Sequence, residues 1–304
     1  MLATIPIESA SFSGHESFPL RFSWLKKGYD QVIEDKRFFG TEDAMVILGT
    51  GKNMVRAIRH WGYACQTWEK VEGTRGRQVK PTPLGRYLLA DDGWDPYLED
   101  IGTIWLLHWL LVSNLQDATT WSWAFGRPKS NRFRKEELLA ELQELVNELD
   151  LGRTSKASLK RDVDVLVRSY CRRTTKRSFE DSLDSPLTLL NLVRPGSDKD
   201  TYELVQGPHP TLPTPILEAA LVDYYRDFRQ GQTDAISLDD LMYSPMSPGR
   251  TFRLTEEALI EHLNNIVRQK PDFYGFDETA GLRQLMIKSE LPSRKKVLDE
   301  YYRI

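Results

Sequence analysis

Between Lys52 and Tyr63 the apolar residues Met54, Val55, Ile58 and Trp61 return every three or four positions, the period of a helix with one buried face. Lys52, Arg56, Arg59 and His60 fall on the opposite side of that helix. Just upstream, Thr41 can cap a helix whose first turn is Glu42-Asp43 and whose apolar run is Ala44 to Leu48. Gly49 and Gly51 then supply a tight turn. Downstream, Trp68 to Val71 and Gln78 to Thr82 flank Gly73-Thr74-Arg75-Gly76, a hairpin by composition. Pro83 opens a further helix through Leu89. Helix, turn, basic helix, basic hairpin, helix is the order of a winged helix. The same stretch mimics a phosphate loop. A Walker A motif, however, needs Gly where Val46 stands and Ser or Thr where Asn53 stands, so phosphate cradling is the weaker reading.

Elsewhere the helical period predicts a helix over Phe22 to Ile33 and another starting within Asp95 to Asp100. That second helix continues through Ile104 to Leu111, apolar all round, the pattern of a central core helix. Arg134 to Leu151 repeats Leu138, Leu142, Leu145 and Leu149. The next helix, capped by Ser158, carries a buried stripe of Leu159, Val163, Leu166, Val167 and Tyr170. Pro186 to Val193 and Thr201 to Val205, separated by a Pro195-Gly196-Ser197-Asp198 turn, resemble a second wing, which makes Arg134 to Val205 a second DNA-facing module. Leu212 to Phe228, Ile236 to Leu241 and Thr255 to Ile266 read as helices. The fold class is mainly α with small β-hairpins: winged-helix (helix-turn-helix) modules packed with additional helices. Three units follow: residues 1–92, with a loose arm over Met1 to Ser11 and the winged helix; 93–210, the helical core plus the second module; and 211–304, a helical domain.

Charge sharpens this reading. The net charge of −3 advertises no global attraction to nucleic acid. Locally the sign reverses. From Thr50 to Ala90 eight cations face only Glu69 and Glu72, a net +6, and from Arg153 to Arg177 nine cations face Asp162 and Asp164, a net +7. Two basic blocks in an acidic chain predict two anion-facing surfaces, against the plainer reading of solvated helix faces. Arg153, Arg172, Arg173, Lys176 and Arg177 belong to the second block. The residues expected on double-stranded DNA are Lys52, Asn53, Arg56, Arg59, His60, Arg75, Arg77 and Lys80, with Lys160 and Arg161 from the second block. Asn53 suits adenine, and Arg56 or Arg59 suits guanine, each contact worth about 1–3 kcal/mol of discrimination. Cys65 and Cys171 are too few and too far apart for a zinc cluster or a disulfide framework, which fits a reducing cytoplasm. No run is long enough to span a bilayer.

Several motifs occur together: Phe12-Ser13-Gly14-His15-Glu16-Ser17-Phe18-Pro19-Leu20-Arg21, Trp24-Leu25-Lys26-Lys27-Gly28, Gly51-Lys52-Asn53-Met54-Val55-Arg56 and Trp105-Leu106-Leu107-His108-Trp109. Ser247-Pro248-Gly249-Arg250 and Ala280-Gly281-Leu282-Arg283 continue the series. In these the chain resembles the SspB-type family of bacterial single-strand DNA phosphorothioation systems, across nearly its whole length. The resemblance implies a DNA-nicking endonuclease of antiviral defence that helps sulfur enter the phosphodiester backbone. It also implies a cysteine desulfurase, an ATPase and a PAPS-reductase-like protein as partners, and it leaves a homodimer open.

Phosphodiester cleavage needs a base or nucleophile and compensation of developing charge. His15 as general base, Glu16 as base or ligand of Mg²⁺ or Mn²⁺, and Arg21 as phosphate clamp are the candidates. Against them stands a hydrogen-bonded His-Glu corner that only pins the N-terminus. Asp95, Glu99 and Asp100 form the nearest carboxylate cluster, with Asp95 and Glu99 on one face if the helix starts early. Their plainer role is charge at a helix N-terminus, and His108 reads as a core histidine. Two functions remain open, a nickase and a non-catalytic DNA-binding subunit that recruits the sulfur-transfer machinery.

Overall fold

A computed structural model describes residues 10–127, 130–151, 154–171, 185–228, 234–278, 281 and 283–303. Residues 1–9 of the arm, Arg153, Arg172, Arg173, Lys176 and Arg177 of the second basic block, and Ala280 and Leu282 lie outside them. The N-terminal elements are α1 (Phe22–Glu34), α2 (Ala44–Leu48), α3 (Lys52–Ala64), the hairpin β1 (Trp68–Lys70) and β2 (Val79–Pro81), and α4 (Pro83–Leu89). Gly49 ends α2 in the left-handed conformation that favours glycine, at φ 63°. Thr82 caps α4 by accepting from the Gly85 amide at 3.0 Å. Helix α2 is shorter than its sequence predicts. The Thr41 hydroxyl does not cap it but donates to the Phe38 carbonyl at 2.8 Å, closing a preceding single turn. Only Ala44 and Leu48 of the apolar run are buried.

Helix α3 and the hairpin meet at a glycine. A Cβ at Gly62 would lie 1.6 Å from the Trp68 indole, so only a bare backbone lets the ring lie flat on the helix. The indole N–H then donates to the Arg59 carbonyl at 2.9 Å. This contact, together with Trp68↔Pro81 pairing, sets the hairpin's angle to the helix.

The core is organised around α5 (Ile101–Ser113), in which Gly102 through Val112 are all buried. Asp95 to Asp100 does not begin this helix. The buried Asp95 carboxylate accepts from the amides of Glu99 at 2.8 Å and Asp100 at 3.0 Å, forming a loop. Asp100 is the cap, accepting from Gly102 at 2.6 Å. Asp95 and Glu99 therefore share no helix face. His108 is a satisfied core histidine. Its Nδ1 lies 2.7 Å from the Tyr170 hydroxyl and its Nε2 2.9 Å from the Thr251 carbonyl, which can only accept. Burial pushes it down to about 4, so it stays neutral.

Following α6 (Thr119–Gly126), a strand that the sequence pattern concealed, β3 (Arg132–Arg134), runs directly into α7 (Lys135–Glu148). It joins β4 (Val193–Pro195) and β5 (Thr201–Leu204) in an antiparallel sheet of order β3-β5-β4, while most of the first arm expected for a second wing, Pro186–Leu190, is a 3-10 turn and the strand begins only at Val193. Helix α8 (Lys156–Tyr170) packs on α7 and is capped by Ser155, not Ser158. Towards the C-terminus α9 (Thr214–Asp223) passes into a π-helical turn to Phe228. Strand β6 (Ala235–Ser237), α10 (Leu238–Tyr243), α11 (Pro248–Thr251), α12 (Glu256–Gln269), β7 (Tyr274–Asp277), β8 (Gln284–Ile287) and α13 (Arg294–Tyr302) follow. Buried side chains from Leu20 to Leu298 form one continuous cluster. Among the described residues no helix is long and apolar enough to cross a membrane.

Candidate nucleic-acid interface

The N-terminal motif is a strained loop that fastens two basic helices together. Ser13, Glu16 and Ser17 all have left-handed backbones, at φ 60°, 52° and 83°. Non-glycine residues hold that conformation only where surrounding contacts impose it. Here most of the contacts come from α8. The Ser13 amide donates to both Asp162 oxygens, at 2.9 and 3.1 Å, and its hydroxyl donates to the Ser158 carbonyl at 3.0 Å. Arg168 donates to the Ser17 carbonyl at 2.6 Å. From α3, the Trp61 indole N–H donates to the Phe18 carbonyl at 3.0 Å.

His15 sits wholly buried at the centre of this knot, ringed by His60, Trp61 and Trp121. Its Nδ1 accepts from the Ser17 amide at 3.2 Å, which leaves Nε2 to carry the hydrogen towards the buried Asp162 carboxylate. Both ring nitrogens are thus engaged, and the partner is Asp162 rather than the adjacent Glu16. The corner expected from sequence exists with a different carboxylate. Glu16 faces outward and pairs with Arg56 of α3 at 3.2 Å. Arg21 lies over the Trp24 ring, 5.4 Å from its centroid, and Arg56 is a cation brought to Glu16.

Of the residues expected on DNA, Lys52, Asn53 and Arg56 are exposed on α3. Arg59 is half-buried. Its guanidinium binds the Gly76 carbonyl at the hairpin tip and the Tyr63 hydroxyl, and lies over the Tyr63 ring, whose other cation is Lys70 at 5.2 Å. It holds the hairpin to the helix. His60 departs from its predicted place on the cationic face and is turned inward. The backbone of Gly14 lies against its ring so closely that a Cβ there would meet Nδ1 at 2.3 Å. Burial above all, with the Lys70 charge adding a smaller push, takes it down to about 3, which makes it a neutral packing residue. On the hairpin Arg75 and Arg77 are exposed, and Lys80 pairs with Glu69 across the strands at 2.9 Å. Lys160 and Arg161 project outward from α8 while Asp162 points in.

Asp162 is the functional residue that sequence reasoning passed over, counted only as a charge offset. Its position was the signal. Three residues after Leu159 and four before Leu166, it lies on the stripe that α8 buries. Among the described residues no group of three His, Cys, Asp or Glu side chains could hold a metal ion. Glu16 alone does not make a cage.

The exposed tip predicts phosphate contact. Replacing Arg75 and Arg77 by alanine is expected to weaken duplex binding about equally for all sequences. The slope of log affinity against log salt should flatten by roughly two units, one per lost phosphate contact. Titrations at several salt concentrations check this. A loss confined to one sequence would point to base reading.

Residues 12–302 match the model of a family described as protein of unknown function (DUF4007). Among solved structures the chain is similar to the SspB crystal structure, with 33% identity over 98% of this chain and 90% of that one, and a TM-score of 0.86. A magnesium ion-bound SspB crystal structure shows the same identity and coverage, with a TM-score of 0.85. No curated protein matches the chain.

Proposed function

The chain belongs to the SspB-type, DUF4007 family, and from that premise we propose that it binds double-stranded DNA and nicks it as a component of a DNA phosphorothioation system. One observation carries the reading. The exposed Lys52, Asn53 and Arg56 of α3 stand beside the loop that also grips α8, where Lys160 and Arg161 face solvent. A backbone phosphate run needs several cations on one rigid body, and the stapled helix pair supplies them. The order α2, α3, hairpin, α4 supports a winged-helix reading of this unit, with α3 in the major groove. Cysteine desulfurase, ATPase and PAPS-reductase-like proteins are the partners that such a component would serve.

For the cleavage step, Glu16 is the half-buried carboxylate at the edge of this surface and Arg56 the adjacent phosphate clamp. His15 supports the loop from beneath. Because His15 is committed to Asp162 and Ser17, a second reading is favoured by the same geometry: the subunit binds and recruits without cutting. Supercoiled plasmid incubated with the purified chain, with and without Mg²⁺ or Mn²⁺, separates the two. Open-circular product dependent on the divalent ion is expected, and the magnesium-bound SspB structure motivates that choice of ion. Supercoiled plasmid left intact under conditions of full duplex binding would leave only the recruiting role.

A further inference from the structure

A cavity of about 630 Å³ opens beside α7, between β3, α6 and the segment from Tyr243 to Arg250. Its size is that of small-ligand sites, roughly 300–1,000 Å³. The lining combines flat aromatic surface with guanidinium groups. Arg127 stacks over the Trp123 indole at 4.5 Å from the ring centroid, and Phe133 and Tyr243 add ring surface. Trp123 is held in place by its indole N–H, which donates to Glu141 at 2.8 Å. Arg250 donates to the Tyr243 carbonyl, which binds the cation to the aromatic wall. Glu144 and Glu148, on α7, offer carboxylates along the same lining. Burial lowers Arg127 and Arg250 from the ordinary arginine value, with Glu148 opposing the shift at Arg127, so both guanidinium groups sit within the wall of the cavity.

Ring surface for a planar base, guanidinium for phosphate and carboxylate for exocyclic amino groups occur together in nucleotide recognition. The cavity also continues outward. It shares Arg132, Phe133 and Glu137 with a depression of about 380 Å³ on the β3-β5-β4 sheet. Arg132 and Arg134 alternate with Phe133 on β3 and so share one strand face, and Arg194 of β4 joins Arg132 on the Glu203 carboxylate, at 2.7 Å each. A strand of nucleic acid laid along those arginines would end at the cavity mouth. We propose that this cavity takes one nucleotide, its base against Trp123 and Tyr243 and its phosphate at Arg127 and Arg250. The site is separate from the α3 surface and does not require that surface to bind duplex.

The source of the nucleotide, free or within a single strand, is decided by two probes on the full-length chain. One is calorimetric titration with each of the four deoxynucleoside 5′-monophosphates. The other is fluorescence anisotropy with a labelled single strand of about 12 nucleotides, within the span such grooves cover. Saturable binding of a mononucleotide identifies a free ligand, and binding of the strand alone identifies a base taken from a polymer. In either case Trp123→Ala and Tyr243→Ala should each weaken that binding roughly tenfold, the loss of one base-stacking partner, and leave duplex affinity within twofold. Tyr243→Ala is the decisive variant if Trp123→Ala loses stability, because Tyr243 is 50% exposed. Arg56→Ala separates the sites in the other direction, lowering duplex affinity and sparing the nucleotide. Absence of binding by both probes, or unchanged affinity in folded Tyr243→Ala, overturns the proposal.

Discussion

Asp162→Ala is expected to destabilise the protein by about 2–6 kcal/mol, because it leaves two donors without their acceptor at about 1–3 kcal/mol each. The variant strands the His15 ring nitrogen and the Ser13 amide in a place that water does not reach. The left-handed Ser13 then loses the contact that holds it, and the loop that ties α3 to α8 comes loose at that end. Lys160→Ala, on the exposed side of the same helix, should change stability by no more than about 0.5 kcal/mol. Urea denaturation followed by circular dichroism checks both, read from the midpoint at constant slope. Duplex affinity should fall in Asp162→Ala although no DNA-facing cation has been touched. Removing His15 and Asp162 together should cost less than the sum of the single losses, since neither variant then strands a partner. An Asp162→Ala protein as stable as the parent would remove the loop's role as a staple.

Glu16→Gln is expected to lower nicking by about 10²–10⁴-fold, the usual contribution of a positioned acid or base. Duplex affinity should stay within a few-fold, because the amide keeps the shape of the side chain and removes only a group needed in the transition state. The loss of one negative charge next to Arg56 pushes any change in affinity upward. His15→Ala contrasts with it. That variant should lose stability, duplex binding and nicking together, as expected of a buried support. Plasmid relaxation and thermal melting on the same preparations distinguish the pair. Full nicking by Glu16→Gln would leave Glu16 as no more than the partner of Arg56.

Much of the first helix-and-hairpin unit was legible in the chain because its signals are local. Helical spacing placed α3, glycines placed the turn and the hairpin tip, and Thr82-Pro83 placed the start of α4. Spacing alone could not place His60, whose outward or inward sense depends on a loop more than 40 residues away. The same limit hid the role of Arg59, since the carbonyl it binds lies across the hairpin. Asp95 looked like a helical carboxylate because its capping of the Glu99 and Asp100 amides is invisible to periodicity. The motif around His15 stood out in the sequence, but its partner lies 147 positions on, and no local rule connects them. Strand β3 was lost because three residues leading straight into a helix carry too short a pattern.

The most direct test is equilibrium binding of a fluorescent DNA duplex to the wild-type chain and to Lys52→Ala/Arg56→Ala over a range of salt concentrations. A surface built on α3 predicts that the double variant, folded as the parent is, binds at least about tenfold more weakly and shows a salt slope shallower by up to two units. Equal affinity and an equal slope for the two folded proteins would contradict it.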